Sequence, residues 1–542
     1  MTGKQRVLDT IQFKQVDRIP WVPFVGCHAG SLLGIPAADY LQSDARIVEG
    51  TGQAVQRYQP DGIPVMFDLQ VEAEALGCQL NWAKDNPPAV SSHPLANGKS
   101  LSDLRIPTQK DGRIGMMIQA TRTLREKFPD IALYGLITGP FTLALHLRGT
   151  ELFMDMYDNP GNIIDLIAFC EKVGETVAGM LVDAGCDIIA VVDPMTSQIG
   201  PEQFREFVTP SATRLFSDIR SRDKFGSFFV CGHAQQNIEA MCDCAPDNIS
   251  IDENIPLDYV RDICVPRRIS FGGNMQLTSV LLLGTETDAQ QNALSCMDIG
   301  GTEGYLLAPG CDLPYATPPA NIESVTRLVQ DSYQQDIVRT MAKEATPDRI
   351  LDMSDYGISS KVIVDVITLD SEACAPCQYM VESVKAVTPE FEGVVEWREH
   401  KIKYREALVF MTSLMVKNIP TICIDGNITF VSRIPKRDEL IAAIQQRIYE
   451  KLRIKIQRRR ASLIVLGQES EQRGILERSI EQAGTELGAD IEIVVKSDDD
   501  DIRSYGVSPS QTPAVVMARY EIKSVKAVPD IAIIKEWIKS VL

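Results

Sequence analysis

Four cysteines hold the chemistry that is easiest to read from this chain. Cys374-Ala375-Pro376-Cys377 sets two thiols one helical turn apart, behind a β-type run and at the start of a helical pattern. That placement suits reversible dithiol–disulfide exchange. A helix amino terminus is expected to lower the pKa of Cys374. The other two, Cys231 in FFVCGH and Cys311 in LLAPGCDLP, each end an apolar β-type run. Two thiols and the imidazole of His233 are donors that zinc prefers, and a catalytic zinc keeps one position open for substrate. A pair of buried, inert thiols is the other reading of Cys231 and Cys311. Cys242 and Cys244, in MCDCAP, read as structural.

These residues need elements to carry them. Eight short β-type runs occupy the first 340 residues or so: Arg18–Val25, Gly62–Phe67, Ile131–Ile137, Asp187–Val192, Gly226–Cys231, Asn248–Ile251, Arg268–Phe271 and Gly304–Ala308. Amphipathic stretches such as Asp111–Lys127, Pro160–Ala184, Pro201–Arg222 and Asn321–Gln335 separate them, with apolar residues at helical spacing. Eight alternating units predict an α/β fold of the (β/α)8 TIM-barrel type over residues 1–343, with active groups at the carboxyl ends of the strands. Those ends read Cys27 and His28, Asp68, Asp193, Cys231 to His233, Asn274 and Cys311. Glu72 and Glu74, in VEAEALG just past the second run, are candidates for binding substrate or metal, or for capping a helix.

A polar stretch at 344–360 predicts a linker. Beyond it come a strand at Lys361–Thr368, the CxxC segment with its helix, a strand near Val394–Trp397, and a helix near Arg405–Met415. Ile419-Pro420 then leads into a strand at Ile422–Asp425, and a helix at Arg437–Leu452 follows. This order is similar to that of thioredoxins, which carry a cis-proline opposite the CxxC; the resemblance implies that role for Pro420, with Cys374 as attacking thiolate and Cys377 as resolving thiol. The thioredoxin-like domain is placed at 361–454. A second module of like layout, at 461–542, has Thr512-Pro513 at the corresponding point and Gln468-Glu469-Ser470-Glu471 in place of CxxC. Pro513 is the matching structural cis-proline, and this module is expected to pack or recognise rather than react.

Acidic residues number 73 against 54 basic ones, a net charge of −19, which argues against a nucleic-acid backbone or an anionic membrane as partner. Thirteen cysteines spread over 542 residues, with no apolar leader, are expected to be reduced thiols in a cytoplasm.

The segments DRIPWVPF, VMFDLQVEAEALGCQL, YGLITGPFTLALHLRG, VDPMTSQIGPEQFREFVTP, FGGNMQLTSVLLLGT and EGYLLAPGCDLP occur in the order found in the uroporphyrinogen decarboxylase superfamily. Within it the chain most resembles corrinoid-dependent methyltransferases of the methylcobamide:coenzyme M type. The resemblance covers about residues 1–340 and independently implies the barrel. It places Asp68 at the decarboxylase catalytic aspartate and His146 where decarboxylases tend to have tyrosine. Glu72, Glu74, His146 and Asn274 are the candidate substrate-binding residues. The decarboxylases need an arginine-rich amino-terminal motif, whereas Val25 to Gly30 contains no arginine. The methyltransferases use the cysteine at position 311 as a zinc ligand. Their strand-five motif is His-x-Cys, yet Phe229 stands two before Cys231 here. The missing imidazole is then His233, the site recruits Glu72, Glu74 or His146, or zinc binding is absent.

The resemblance implies methyl transfer between a corrinoid (methylcobalamin) and a small-molecule donor or acceptor, with a zinc-bound thiol as the expected nucleophile. None of the five histidines lies in the Asp-x-His-x-x-Gly context of cobalt-ligating proteins, so the corrinoid is expected on a separate partner protein. The CxxC module is expected to act as a disulfide reductase, fed by an electron donor of the thioredoxin reductase type. It would keep Cys231 and Cys311 reduced, or reduce a disulfide-linked substrate. The alternatives are a decarboxylase-related lyase, and a protein disulfide oxidoreductase whose barrel is a binding platform.

Overall fold

The computed structural model describes residues 1–232, 234–340, 356, 361–372, 374–459, 461–489, 491–517 and 521–541. The chain forms two compact units, Met1–Leu440 and Ile441–Leu542. His233 and nearly all of the expected linker at 344–360 lie outside the described residues.

The first unit is built on a seven-stranded parallel sheet that curls into a TIM-barrel-like wall. Its order is Gly62–Pro64, Ala132–Thr138, Ile188–Val192, Phe225–Val230, Asn248–Ile251, Ser270–Met275 and Tyr305–Pro309. These correspond to seven of the eight expected runs. Residues of the strands are almost entirely buried, as a parallel sheet covered by helices on its outer face requires.

The remaining run, Arg18–Val25, forms a single parallel bridge, Trp21 to Leu307, rather than a strand. Pro20 and Pro23 remove two of the N–H groups that a ladder needs. The segment still joins the two edges of the sheet. Val22 N donates to Leu307 O at 2.9 Å and Leu307 N donates to Pro20 O at 3.0 Å. On the other side Asp61 N donates to Trp21 O at 2.8 Å. The buried Asp61 carboxylate fixes this junction: it accepts from Trp21 N at 2.8 Å, from Arg18 Nη1 at 2.6 Å, and from Arg6 Nη1.

The expected helix Pro201–Arg222 is continuous but includes a π-helical turn at Phe204–Val208 before Thr209–Ser221. Among the described residues no helix is long and apolar enough to cross a membrane.

Residues 362–431, also in the first unit, form a four-stranded sheet in the order Val395–Lys401, Val362–Thr368, Thr421–Ile424, Asn427–Val431. The first pair is parallel and the other two are antiparallel. The helix Ala375–Val387 begins immediately after Cys374, and the Ile419–Pro420 peptide is cis. Ala375 and Tyr379 of this helix belong to the same buried apolar cluster as the barrel, so its first two turns pack directly on it. Polar contacts reinforce the seat. Asn86 Nδ2 donates to Asp370 Oδ2 at 2.7 Å, Gln378 Nε2 donates to Val90 O at 2.7 Å, and Ile434 N donates to Gln198 Oε1 at 3.1 Å.

In the second unit the sheet runs Ile491–Lys496, Ala461–Leu466, Ala514–Met517, Glu521–Val525, again one parallel and two antiparallel pairs, and Thr512–Pro513 is cis. Its first helix, Glu471–Leu487, is capped by Ser470, which accepts from Arg473 N at 3.3 Å. Matched by helix start, Ser470 corresponds to Cys374 and Arg473 to Cys377, two residues later than the expected Gln468 to Glu471 alignment. The expected helix Arg437–Leu452 extends to Arg459, through the basic stretch.

Removing the Asp61 carboxylate leaves the buried Trp21 N–H without its acceptor and Arg18 without its carboxylate, while Arg6 keeps only the Asp17 carboxylate. Asp61→Ala is expected to cost about 3–5 kcal/mol, as when one partner of a buried ion pair is deleted. The midpoint of urea unfolding, followed by tryptophan fluorescence, measures it.

Candidate functional site

The carboxyl ends of the barrel strands and the CxxC segment face one cavity. From the barrel its wall includes Cys27, Gln70, Cys231, Glu253, Thr278 and Cys311; from the neighbouring sheet come Cys374, Cys377, Lys403 and Pro420. Cys231 follows its strand directly and Cys311 lies two residues past its own, and their Sγ atoms are 2.8 Å apart. The two cysteines, remote in sequence, therefore meet at the barrel mouth. The sulfurs of the two pairs feel one another electrostatically: a charge on Cys311 reaches Cys374, and one on Cys374 reaches Cys231. The hydrogen bond with Cys311 and burial both push the Cys231 thiol up.

The expected lowering of the Cys374 pKa is reversed. Its thiol lies well above the ordinary value, first through the hydrogen bond with Cys377 and then through burial under the barrel. Cys374 caps the helix without a side-chain hydrogen bond to it. The helix amino terminus is present, but desolvation and the neighbouring thiol outweigh it.

Other expected site residues are distributed around this cavity rather than in it. Asp68 is buried and accepts from Arg113 Nη1 at 2.5 Å and from Gln70 N at 2.8 Å. Arg113 Nε also donates to Glu74 at 2.7 Å, and its guanidinium lies 4.8 Å from the Trp82 ring centroid. Asp68 and Glu74 are thus the two arms of one ion-pair cluster centred on a residue that sequence reading passed over. Asn274 uses both amide hydrogens, donating to Ile255 O at 2.6 Å and Asp252 O at 3.2 Å, and so holds the loop that carries Glu253. His146 is fully buried, and its Nδ1 shares a 3.1 Å hydrogen bond with Tyr379 Oη beneath the CxxC helix. Burial first, and His93 second, lower its pKa to about 3, so the ring is neutral. His28 is likewise a core residue, between Tyr58 Oη at 2.6 Å and Tyr315 O at 3.1 Å. Asp193 spends its oxygens on Phe141 N, Thr142 N and Thr142 Oγ1, at the start of the helix Pro140–Arg148.

Several cavity residues escaped the sequence reading. Glu253 follows the strand Asn248–Ile251, and burial, then Asp252, raise its pKa to about 8. Asp312 is pushed well up by burial although it accepts from Gly26 N at 2.7 Å. Gly26 is required there, because a side chain would collide with that carboxylate. Glu253 is therefore largely protonated at neutral pH. Gln70 Oε1 and Thr278 Oγ1 are buried, line the cavity and have no hydrogen-bond partner among the described residues. Lys403 donates to Asp370 at 2.6 Å. The strand-end rule that selected Cys231 and Cys311 also points to Glu253 and Asp312.

The sulfur donors of Cys231 and Cys311 fit a soft metal such as zinc. Among the described residues no group of three or more His, Cys, Asp or Glu side chains is placed to complete such a site. His233, the expected third donor, lies outside the described residues.

A curled parallel sheet with reactive side chains at its carboxyl edge defines a TIM-barrel-like α/β protein with its site at the strand ends. The family model for uroporphyrinogen decarboxylase (URO-D) matches residues 2–332, and the chain belongs to that family. Its relatives include the methylcobamide:CoM methyltransferase MtbA of Methanosarcina acetivorans, 26% identical over 339 residues, or 61% of this chain and 98% of that protein. MtaA of Methanosarcina barkeri is 25% identical over 342 residues, again 61% of this chain and 98% of its own length. A uroporphyrinogen decarboxylase of Streptomyces avermitilis is 24% identical over 314 residues, covering 56% of this chain and 84% of that protein. Among solved structures, a methyltransferase from Methanosarcina mazei shares the fold with a TM-score of 0.57 at 24% identity, over 61% of this chain and 99% of its own.

Glu72 is 1% exposed and lies outside the cavity wall, against the end of the strand Ala132–Thr138. Its Oε1 accepts from Thr138 N at 3.1 Å, and its Oε2 is 2.9 Å from Thr138 Oγ1, which donates onward to Leu69 O at 2.6 Å. A protonated Glu72 satisfies all three groups, and burial raises its pKa to about 7. Below the unfolded value near 4.5 both states are protonated. As pH rises from there to about 7 the unfolded chain releases a proton that the folded chain keeps, and stability falls by about 3 kcal/mol. Glu72→Gln reproduces the hydrogen-bond pattern without the proton. Unfolding midpoints at pH 5 and pH 7.5 are therefore expected to converge in this variant relative to the wild type.

Proposed function

We propose that the protein is a corrinoid-dependent methyltransferase, moving a methyl group between a corrinoid carried on a partner protein and a small thiol. The observation that carries this reading is the meeting of Cys231 and Cys311 at the barrel mouth, in a chain whose barrel matches nearly the whole length of MtbA and MtaA. Cys231, Cys311 and His233 are the residues to hold zinc, which when bound deprotonates a coordinated thiol at neutral pH. The methyl–cobalt centre comes with the partner.

The chain's own residues then define the acceptor's surroundings. Gln70 Oε1 and Thr278 Oγ1 offer open hydrogen-bonding positions on the cavity wall. Glu253 is largely protonated near neutrality and so adds little negative charge beside a thiolate, and burial pushes the Asp312 carboxyl in the same direction. The apolar residues Phe67, Leu69, Leu277 and Leu313 limit water. Asp68 and Glu74 act through Arg113, fixing the loop that presents Gln70.

We read residues 361–454 as a thioredoxin-like disulfide reductase module and 461–542 as a second one without CxxC. Supporting this are the position of Cys374 at a helix start, the cis Ile419–Pro420 peptide on the wall of the same cavity, and the matching strand order of the two sheets. Lining of that cavity by Cys374 favours a substrate held at the barrel mouth over an external protein disulfide.

Purified protein is expected to contain one zinc per chain and to transfer methyl from methylcobalamin to a small thiol. Cys231→Ser and Cys311→Ser are expected to lower zinc affinity by about 100-fold or more, above the loss seen on removing outer-shell partners. Inductively coupled plasma mass spectrometry gives the metal, and loss of the methylcobalamin visible absorbance gives the turnover. Retention of full zinc and activity in Cys311→Ser would overturn the assignment.

A further inference from the structure

Three features of the cavity bear on what the CxxC pair acts upon. Cys374 and Cys377 share one wall with Cys231 and Cys311. The helix carrying the CxxC is seated in the barrel core through Ala375 and Tyr379, so its thiols face the barrel mouth. The Cys231 and Cys311 sulfurs are 2.8 Å apart. Two thiolates at ~2.3 Å from a tetrahedral zinc stand about 3.8 Å apart, whereas a disulfide needs ~2.05 Å. The pair is thus poised between a metal-holding and an oxidised arrangement, and small side-chain rotations reach either.

We infer that Cys231 and Cys311 are themselves the substrate of the CxxC, forming an internal four-thiol relay that returns an oxidised barrel pair to the dithiol state. The inference rests on the redox reading of the module proposed above.

The exchange balances as follows. A thiol oxidant of the peroxide or diamide class takes two electrons and two protons from Cys231 and Cys311 and leaves a disulfide. The Cys374 thiolate attacks one sulfur of it; a Cys374–barrel disulfide forms and the other barrel sulfur leaves as a thiolate and is protonated. Cys377 then attacks Cys374, its own proton being lost, and the second barrel sulfur leaves and is protonated in turn. The barrel pair has gained two electrons and the CxxC is a disulfide. A dithiol reductant of the small-molecule or thioredoxin type restores Cys374 and Cys377. Since an oxidised pair has no thiolate to give a metal, the relay also sets how much of the chain can hold zinc at Cys231 and Cys311.

The full chain carrying Cys377→Ser tests this directly, because the resolving step is blocked. After mild diamide treatment, non-reducing peptide mapping is expected to find Cys374 joined to Cys231 or Cys311. In the wild type, with the barrel pair pre-oxidised, the Cys231–Cys311 disulfide is expected to vanish one for one as Cys374–Cys377 appears. With limiting dithiothreitol, its reduction should be roughly 100-fold faster than in the Cys374→Ser/Cys377→Ser double variant, the advantage of intramolecular over bimolecular exchange. Equal rates, together with no cross-link, would overturn the relay. If the wild type forms Cys374–Cys377 disulfide but neither cross-links nor transfers, the redox reading of the module stands and the relay falls. If no Cys374–Cys377 disulfide forms at all, both fall.

Discussion

Burial of the helix Ala375–Val387 against the barrel is the constraint on which the site depends. Tyr379 is fully buried there, its hydroxyl is bonded to His146, and its ring lies 6.2 Å from that of His93, tilted by 31°. Burying an aromatic side chain of this size is worth about 2–3 kcal/mol, and the polar contacts of Asn86, Gln378 and Gln198 give direction to an attachment that apolar packing alone leaves free to slide. Because the helix begins at Cys374, the same packing fixes where its sulfur lies. The cavity is consequently composite: half its reactive groups come from the barrel and half from the docked sheet.

The acids around the cavity share one physical logic. Glu72, Asp193, Glu253 and Asp312 are all taken out of water, and in each burial is the largest influence and raises the pKa. Each is offset in part by backbone N–H donors rather than by a cation. Cations are kept instead at Arg113 with Asp68 and Glu74, and at Asp370 with Lys401 and Lys403. Burial thus holds several of these acids toward the neutral form in a chain whose net charge is −19. That shift suits thiol chemistry, since an adjacent carboxylate raises the cost of forming a thiolate.

Much of this was legible in the residues, and the part that was not has definite causes. Seven of the strand positions follow from apolar β-type runs, and the rule placing reactive groups at carboxyl ends of strands brought Cys231 and Cys311 together from remote positions. Arg18–Val25 failed as a strand because two prolines cost it ladder donors, yet it still closes the sheet through Asp61, a contact that no local pattern announces. His146, Asp68 and Glu74 carry polar side chains in suggestive places, but their partners Tyr379 and Arg113 are distant in sequence, and those partners decide that they position rather than line the cavity. The pKa of Cys374 was misjudged for the same reason: a helix start is visible in sequence, whereas the barrel surface that desolvates the thiol is not.

Docking a CxxC segment on a barrel within one chain has a physical consequence that free association lacks. A docked CxxC is presented to the barrel thiols at an effective concentration set by the tether and the seat rather than by diffusion. Thiols that can hold a metal are also the groups most readily lost to oxidation when they lie close together, and Cys231 and Cys311 lie close together in a cavity that a substrate must be able to enter. On the proposed function, a separate reductant would have to reach the same mouth and compete with the corrinoid carrier for it. Thiols already on the wall of the cavity would remove that competition, so that protection of the barrel pair and access to it would become properties of one composite site.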